Sequence, residues 1–174
     1  MQGRMIPVAL ALLAGTAACA GDNREVVDPV FTAAITGAVT RPAIGTATFG
    51  VLEDSDIKGF TVVMEDAYII AIVLQTPSLE QPAPGTYPIV PKAVPGTAGD
   101  FHGVVRYDYY KYGSLQQFEA VSGTVNVIES GPEVIKGTMT FRAVRTSPCC
   151  DQAPVTIDVT GTFTAGQVPV TALR

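Results

Sequence analysis

Val155, Ile157, Val159, Gly161 and Phe163 alternate without a slip with Thr156, Asp158, Thr160 and Thr162. Successive side chains on an extended backbone point to opposite faces, so a period of two makes this segment a strand with one wet face. A helix would instead repeat its apolar positions about every 3.6 residues. Ser122-Gly-Thr-Val-Asn-Val-Ile128 and Val134 to Val144 show the same pattern, and each of the three segments carries a Gly-Thr pair. A glycine inside a strand has no side chain to pack, so Gly123, Gly137 and Gly161 are expected to mark bulges or a close approach of backbones.

The rest of the chain follows suit. Phe31, Ala33, Ile35, Gly37 and Val39 share one face of a first strand, which Arg41-Pro42 ends. A second runs from Ala43 to Leu52, and a third from Ile57 to Met64 with Phe60, Val62 and Met64 on one face. Ala67-Tyr-Ile-Ile-Ala-Ile-Val-Leu74 is apolar on both faces and is expected to be a central strand buried on both sides. Pro77 to Gly85 is a loop, and Gly85 to Val90 an edge segment demoted by Pro88, which has no N–H to give a ladder. Pro91 to Asp100 is a second loop. Phe101 to Tyr112 is an aromatic strand that turns at Gly113-Ser114 into a return from Leu115 to Ala120, which runs on into the Ser122 segment. Glu129 to Glu133 is a hairpin loop, and Arg145 to Pro154 the last long loop. About nine strands between turn signals, with no helical period, predict a single antiparallel β-sandwich or flattened barrel.

The N-terminus carries an address. One basic residue, Arg4, precedes an apolar run from Met5 to Gly15, and Thr16-Ala-Ala-Cys19 follows. The run is shorter than the roughly twenty apolar residues a membrane span needs, and its flanks are those of a cleaved signal. The small-small-Cys ending resembles the lipobox of bacterial lipoproteins, with Thr16 where leucine is commonest. That resemblance implies diacylation of Cys19, cleavage before it and attachment to a membrane; an ordinary secretory signal cut at Ala18 or Ala20 is the alternative. The chain then divides into a signal peptide (1–18), a lipidated tether (19–28), a β-sandwich domain (29–165) and a C-terminal tail (166–174). Ala20 rather than Asp after the cysteine resembles the pattern that releases lipoproteins to the outer membrane. The bacterial cell envelope is thus the expected location, with the membrane as a partner through acylated Cys19.

Without Arg4 the mature chain holds ten basic against sixteen acidic residues. That balance argues against nucleic acid, which selects a basic footprint. His102 is the one histidine, so any Ser-His-Asp or Cys-His unit would have to include it. Its strand position reads more simply as a half-exposed strand residue. No His pair or Cys-x-x-Cys offers zinc ligands, and no glycine-rich phosphate loop is present. Neither a catalytic residue, a cofactor nor a metal site is expected. Glu53-Asp-Ser-Asp56 has the oxygens but not the pattern of a calcium loop, which supplies roughly six to eight ligands; it reads as a solvated turn.

Two features stand out from the strands. Arg106 to Tyr112 holds Tyr107, Tyr109, Tyr110 and Tyr112, large faces with polar tips that suit a sugar or protein partner. A cross-strand aromatic pair stabilising a hairpin is the competing reading. Cys149 and Cys150 are adjacent, with Cα atoms about 3.8 Å apart, below the usual disulfide range of about 4.4–6.8 Å. A strained vicinal disulfide, two free thiols, or a bridge to another chain remain open.

Gly85-Thr-Tyr87, Ser122-Gly-Thr124, Ile135-Lys-Gly-Thr-Met-Thr-Phe141 and Gly161-Thr-Phe163 together resemble the small β-sandwich lipoproteins of unknown function in bacterial envelopes. The resemblance implies a fold and an address and brings no functional residues. The expected role is a non-enzymatic, lipid-anchored binding or assembly module, with an envelope protein or glycan as partner. A hydrolase with a cryptic carboxylate site and a purely structural envelope component are the alternatives.

Overall fold

The computed structural model describes residues 28–53, 58–67, 70–92, 97, 99–109, 114–146 and 154–168. Nine strands account for most of them: β1 (Val30–Gly37), β2 (Arg41–Glu53), β3 (Lys58–Asp66), β4 (Ile70–Thr76), β5 (Gly85–Ile89), β6 (His102–Tyr109), β7 (Ser114–Ser130), β8 (Val134–Arg145) and β9 (Thr156–Gln167). The sheet runs β5-β7-β6-β4-β3-β2-β1-β9-β8, and β8 pairs again with β7. Eight strands therefore close on themselves as an up-and-down antiparallel barrel, and β5 is an additional strand on β7. Of the two expected forms, the barrel is the one adopted. Closure gives each of the eight barrel strands a partner on both sides, which removes most of the free edge that templates aggregation.

The barrel closes around one long, bulged strand, β7. β7 slips register between Ala120 and Ser122 and again between Val127 and Glu129, so it coils along β8. Gly123 lies beside the first slip with φ +152°, where a side chain would be strained. β1 is short, so the end of β9 passes it and pairs directly with β2, Thr48 opposite Gly166 and Phe49 opposite Gln167. Val168 N–H then donates to Phe49 C=O (3.1 Å). The strand thus outruns the domain end expected at residue 165, because β2 offers it a partner.

Alternation points the apolar set inward on every wall. Phe31, Phe49, Phe60, Val62, Met64, Ile72, Leu74, Val105, Phe118, Val125, Ile135, Met139, Phe141, Ile157, Val159 and Phe163 are all buried. An eight-stranded barrel is just wide enough for side chains to fill it. The filling uses large residues beside small ones. One inner row reads Gly45, Phe31, Phe163, Gly137, Val127 across five successive strands. Gly137 leaves room for the Phe163 ring, whereas a Cβ on Gly45 would run into the β3 backbone at Glu65 and Asp66.

β4 departs from its expected environment. Ile70, Ile72, Leu74 and Thr76 are buried inward, but Ala71 and Val73 on the outer face are only half-buried. A barrel wall has no second layer outside it. Val73 pairs instead with Val63 on β3 and Val104 on β6, and cross-strand β-branched neighbours shield one another. Tyr68 and Ile69 lie outside the described residues. At the β3–β4 connection Asp66 accepts Ile70 N–H through Oδ1 (2.8 Å) and Arg41 Nη2–H through Oδ2 (3.1 Å).

Candidate functional site

The barrel wall is interrupted in one lane. β7 pairs along its first half with β6 and along its second half with β5. β4 pairs with β6, from Ile70–Tyr107 down to Gln75–His102, and ends at Thr76. Below that level the lane between β4 and β5 holds no paired strand among the described residues. The chain from Pro77 to Pro84 leaves β4, crosses the end of the barrel and enters β5.

Pro88 shows which way β5 faces. Lacking an N–H, it occupies a position turned away from β7, as does Thr86, while Gly85, Tyr87 and Ile89 face the ladder. The backbone agrees: Phe101 N–H donates to Pro88 C=O and Val90 N–H to Phe101 C=O, each 2.9 Å, in a parallel bridge between Ile89 and Phe101. The far edge of β5 is therefore satisfied at Pro88 and Val90. At Thr86 no described residue takes up the main-chain N–H or C=O. Its hydroxyl turns instead to Asn126 Oδ1 (3.1 Å).

A cleft of about 340 Å³ opens in this lane, lined by Thr76, Ser78, Glu80, Gln81, Pro82, Ala83, Tyr87, Gly99 and Phe101. Phe101 is buried at its floor, and the Tyr87 ring meets it edge-on with centroids 5.7 Å apart. Gly99 lies against the same tyrosine, where a Cβ would sit 3.7 Å from its ring. The crossing segment is strapped down at two points. Gln81 Nε2–H donates to Gly131 C=O (2.8 Å) and Tyr87 Oη–H to Ala83 C=O (2.7 Å). On the β4 bank, Ser78 C=O accepts Phe60 N–H (2.6 Å), and Ser78 N–H donates to Thr76 Oγ1 (3.3 Å). Glu80 is the one charged side chain among the described lining residues. The cleft thus offers an aromatic floor, a hydroxyl- and amide-bearing rim, and one negative charge.

The described residues among the candidate sites singled out from sequence do not line the cleft. Tyr107 alternates with Gly103 and Val105 toward the interior and packs, half-buried, against the core. Tyr109 ends β6 opposite Ser114; Tyr110 and Tyr112 lie outside the described residues, as do Cys19, Cys149 and Cys150. Of the acidic turn, Glu53 ends β2 opposite Lys58, and Asp54 to Asp56 are not described. His102 sits on the outer face of β6, and its Nδ1–H donates to Val90 C=O (3.1 Å); the carbonyl as partner fixes the tautomer. Among the described residues no group of three or more His, Cys, Asp or Glu could hold a metal ion. No helix among them is long and apolar enough to cross a membrane.

The cleft was not visible in the sequence, since its banks come from β4 and β5, which do not pair. The Pro-rich crossing and the Gly-Thr-Tyr87 motif were the local signals at hand. Compared with protein-family models, with curated proteins and with solved structures, the chain matches none, so its own residues carry the functional argument.

Proposed function

We propose that this chain is a non-enzymatic binding module of the bacterial cell envelope, held to a membrane through acylated Cys19 and receiving its ligand in the cleft between β4 and β5. The observation that carries the reading is that, among the described residues, no ladder joins β4 to β5 over an aromatic floor. Pockets that orient a ligand combine apolar walls with a few convergent polar groups, and here Tyr87 and Phe101 supply the first while Ser78, Glu80 and Gln81 supply the second. We place the ligand there rather than on the tyrosine strand, because Tyr107 is engaged with the core.

The start of the described chain, at Pro29, and the cleft share one end of the barrel. Gly166 lies against Pro29, Gln167 N–H donates to Glu133 C=O (3.1 Å), and the adjoining Gly131 C=O holds Gln81 of the strap. From Asp28 back to Cys19, the chain reaches at most about 30 Å, at roughly 3.3–3.6 Å per residue. A lipid on Cys19 therefore keeps the cleft close to the membrane.

Two measurements test this reading. Palmitate labelling of the expressed protein is expected for the native chain and lost in Cys19→Ala; correctly processed, unlabelled native protein would remove the anchor. Envelope glycans and peptides screened by amide chemical shifts are expected to perturb Ser78 to Tyr87, and Ala83→Trp, which fills the cleft from an exposed position, is expected to abolish the shifts. Ligands whose shifts map elsewhere and survive Ala83→Trp would remove the cleft.

A further inference from the structure

We infer that the cleft takes an extended peptide segment, apolar toward the barrel and basic toward solvent, which pairs with Thr86 as an added strand; this rests on the cleft being the ligand seat. The argument starts from the unclaimed main chain. Below His102 no described strand pairs with the outer edge of β5, and Thr86 turns its N–H and C=O to that edge with no partner among the described residues. An exposed sheet edge of this kind is where extended peptides add, main-chain bonds giving affinity and side-chain pockets giving selectivity. On the opposite bank the Ser78 carbonyl is already engaged by Phe60. A guest is thus hydrogen-bonded to β5 alone and leans on the strap from the other side.

Register then assigns the side chains. A guest residue paired antiparallel with Thr86 points to the same face as Thr86, which is exposed and outward. Its two neighbours point inward, toward Tyr87 and the buried ring of Phe101. Glu80, the one charged side chain of the described lining, is itself exposed, so the solvent-facing residue that it favours is basic. Pro88 limits the guest to a short stretch, since its carbonyl already belongs to Phe101. The site therefore reads about three residues, in the pattern apolar-basic-apolar.

Acetyl-Val-Lys-Val-amide and acetyl-Val-Glu-Val-amide, titrated into the mature chain in detergent micelles and followed by amide chemical shifts, test the inference. The lysine peptide is expected to give saturable shifts at Ser78, Glu80, Thr86 and Tyr87 and to bind more tightly than the glutamate peptide. Thr86→Pro removes the outward N–H, and with it the hydroxyl bond to Asn126, while leaving the main-chain ladder to β7 in place; it is expected to weaken binding about tenfold, a loss of one hydrogen bond. Glu80→Gln is expected to erase the preference for lysine. Circular dichroism of each variant checks that the barrel is intact. Peptide binding indifferent to Thr86→Pro in a folded barrel overturns the strand pairing, and so does the absence of peptide shifts. If peptides fail while a glycan binds in a manner sensitive to Ala83→Trp, the strand inference falls and the cleft reading stands; if nothing binds there, both fall.

Discussion

The Phe163 ring occupies the space that a side chain on Gly137 would need: a Cβ there would lie 2.6 Å from Phe163 Cζ. The two residues are direct partners across β8 and β9. Gly137→Ala is therefore expected to destabilise the barrel by about 1–3 kcal/mol through overpacking. Phe163→Leu introduced with it should return part of that loss, because neighbouring core changes couple. Urea midpoints of the two single variants and the double variant measure this; additive losses would contradict the contact.

Leu74 and Val73 are adjacent on β4 but face opposite ways, one buried and one half-buried. Leu74→Ala should cost about 2–5 kcal/mol by opening a cavity in the filled interior. Val73→Ala loses only part of a shielded outer row and should cost distinctly less. Equal losses would mean that the outer face is covered as well as the inner one.

Thr61 Oγ1 is buried with no hydrogen-bond partner among the described residues. A buried hydroxyl without a partner costs about 1–3 kcal/mol of desolvation. Thr61→Val keeps the shape and removes the polar atom, so the thermal midpoint should rise or hold. A clear fall in the midpoint would show that the hydroxyl is bonded.

Gln81→Ala removes the bond from the strap to Gly131 C=O. The expected loss in global stability is about 0.5–1.5 kcal/mol, while hydrogen exchange of Ser78 to Ala83 should quicken more than that of the barrel strands. Uniform quickening would mean that the strap does not open separately.

Arg142 and Asp158 form an exposed, forked ion pair across β8 and β9, Nε to Oδ1 at 2.8 Å and Nη2 to Oδ2 at 3.2 Å. The hydrogen bond from Arg142 holds the Asp158 carboxyl below the usual aspartate range. A depressed carboxylate stabilises the fold above its unfolded-state pKa, and that contribution disappears as pH falls through the folded-state value. Arg142→Gln is expected to bring the Asp158 titration back up toward the ordinary range, read from side-chain carboxyl shifts. Because the pair is exposed, high salt should mute the effect.

Much of this architecture could be read locally. The strands from Phe60 to Met64, from Val134 to Val144 and from Val155 to Phe163 place the expected residues inward, because period two is a property of the backbone itself. Pro88 on an edge segment was equally legible, since the missing N–H forbids a two-sided ladder. The cleft was not. Thr76, Tyr87, Gly99 and Phe101 meet because β6 fills only the upper part of a lane, and no pattern along the chain encodes where an unpaired stretch falls.

By itself the sequence determined which segments are strands and which face of each is apolar. Tertiary structure decided that eight of those strands close into a barrel, that Gly137 makes room for Phe163, and that β5 turns the Thr86 main chain away from β7. The division has a physical cause. Alternation and proline chemistry act within a few residues, whereas closure, register slips and the meeting of β4 and β5 around the cleft depend on which distant segments hydrogen-bond to one another.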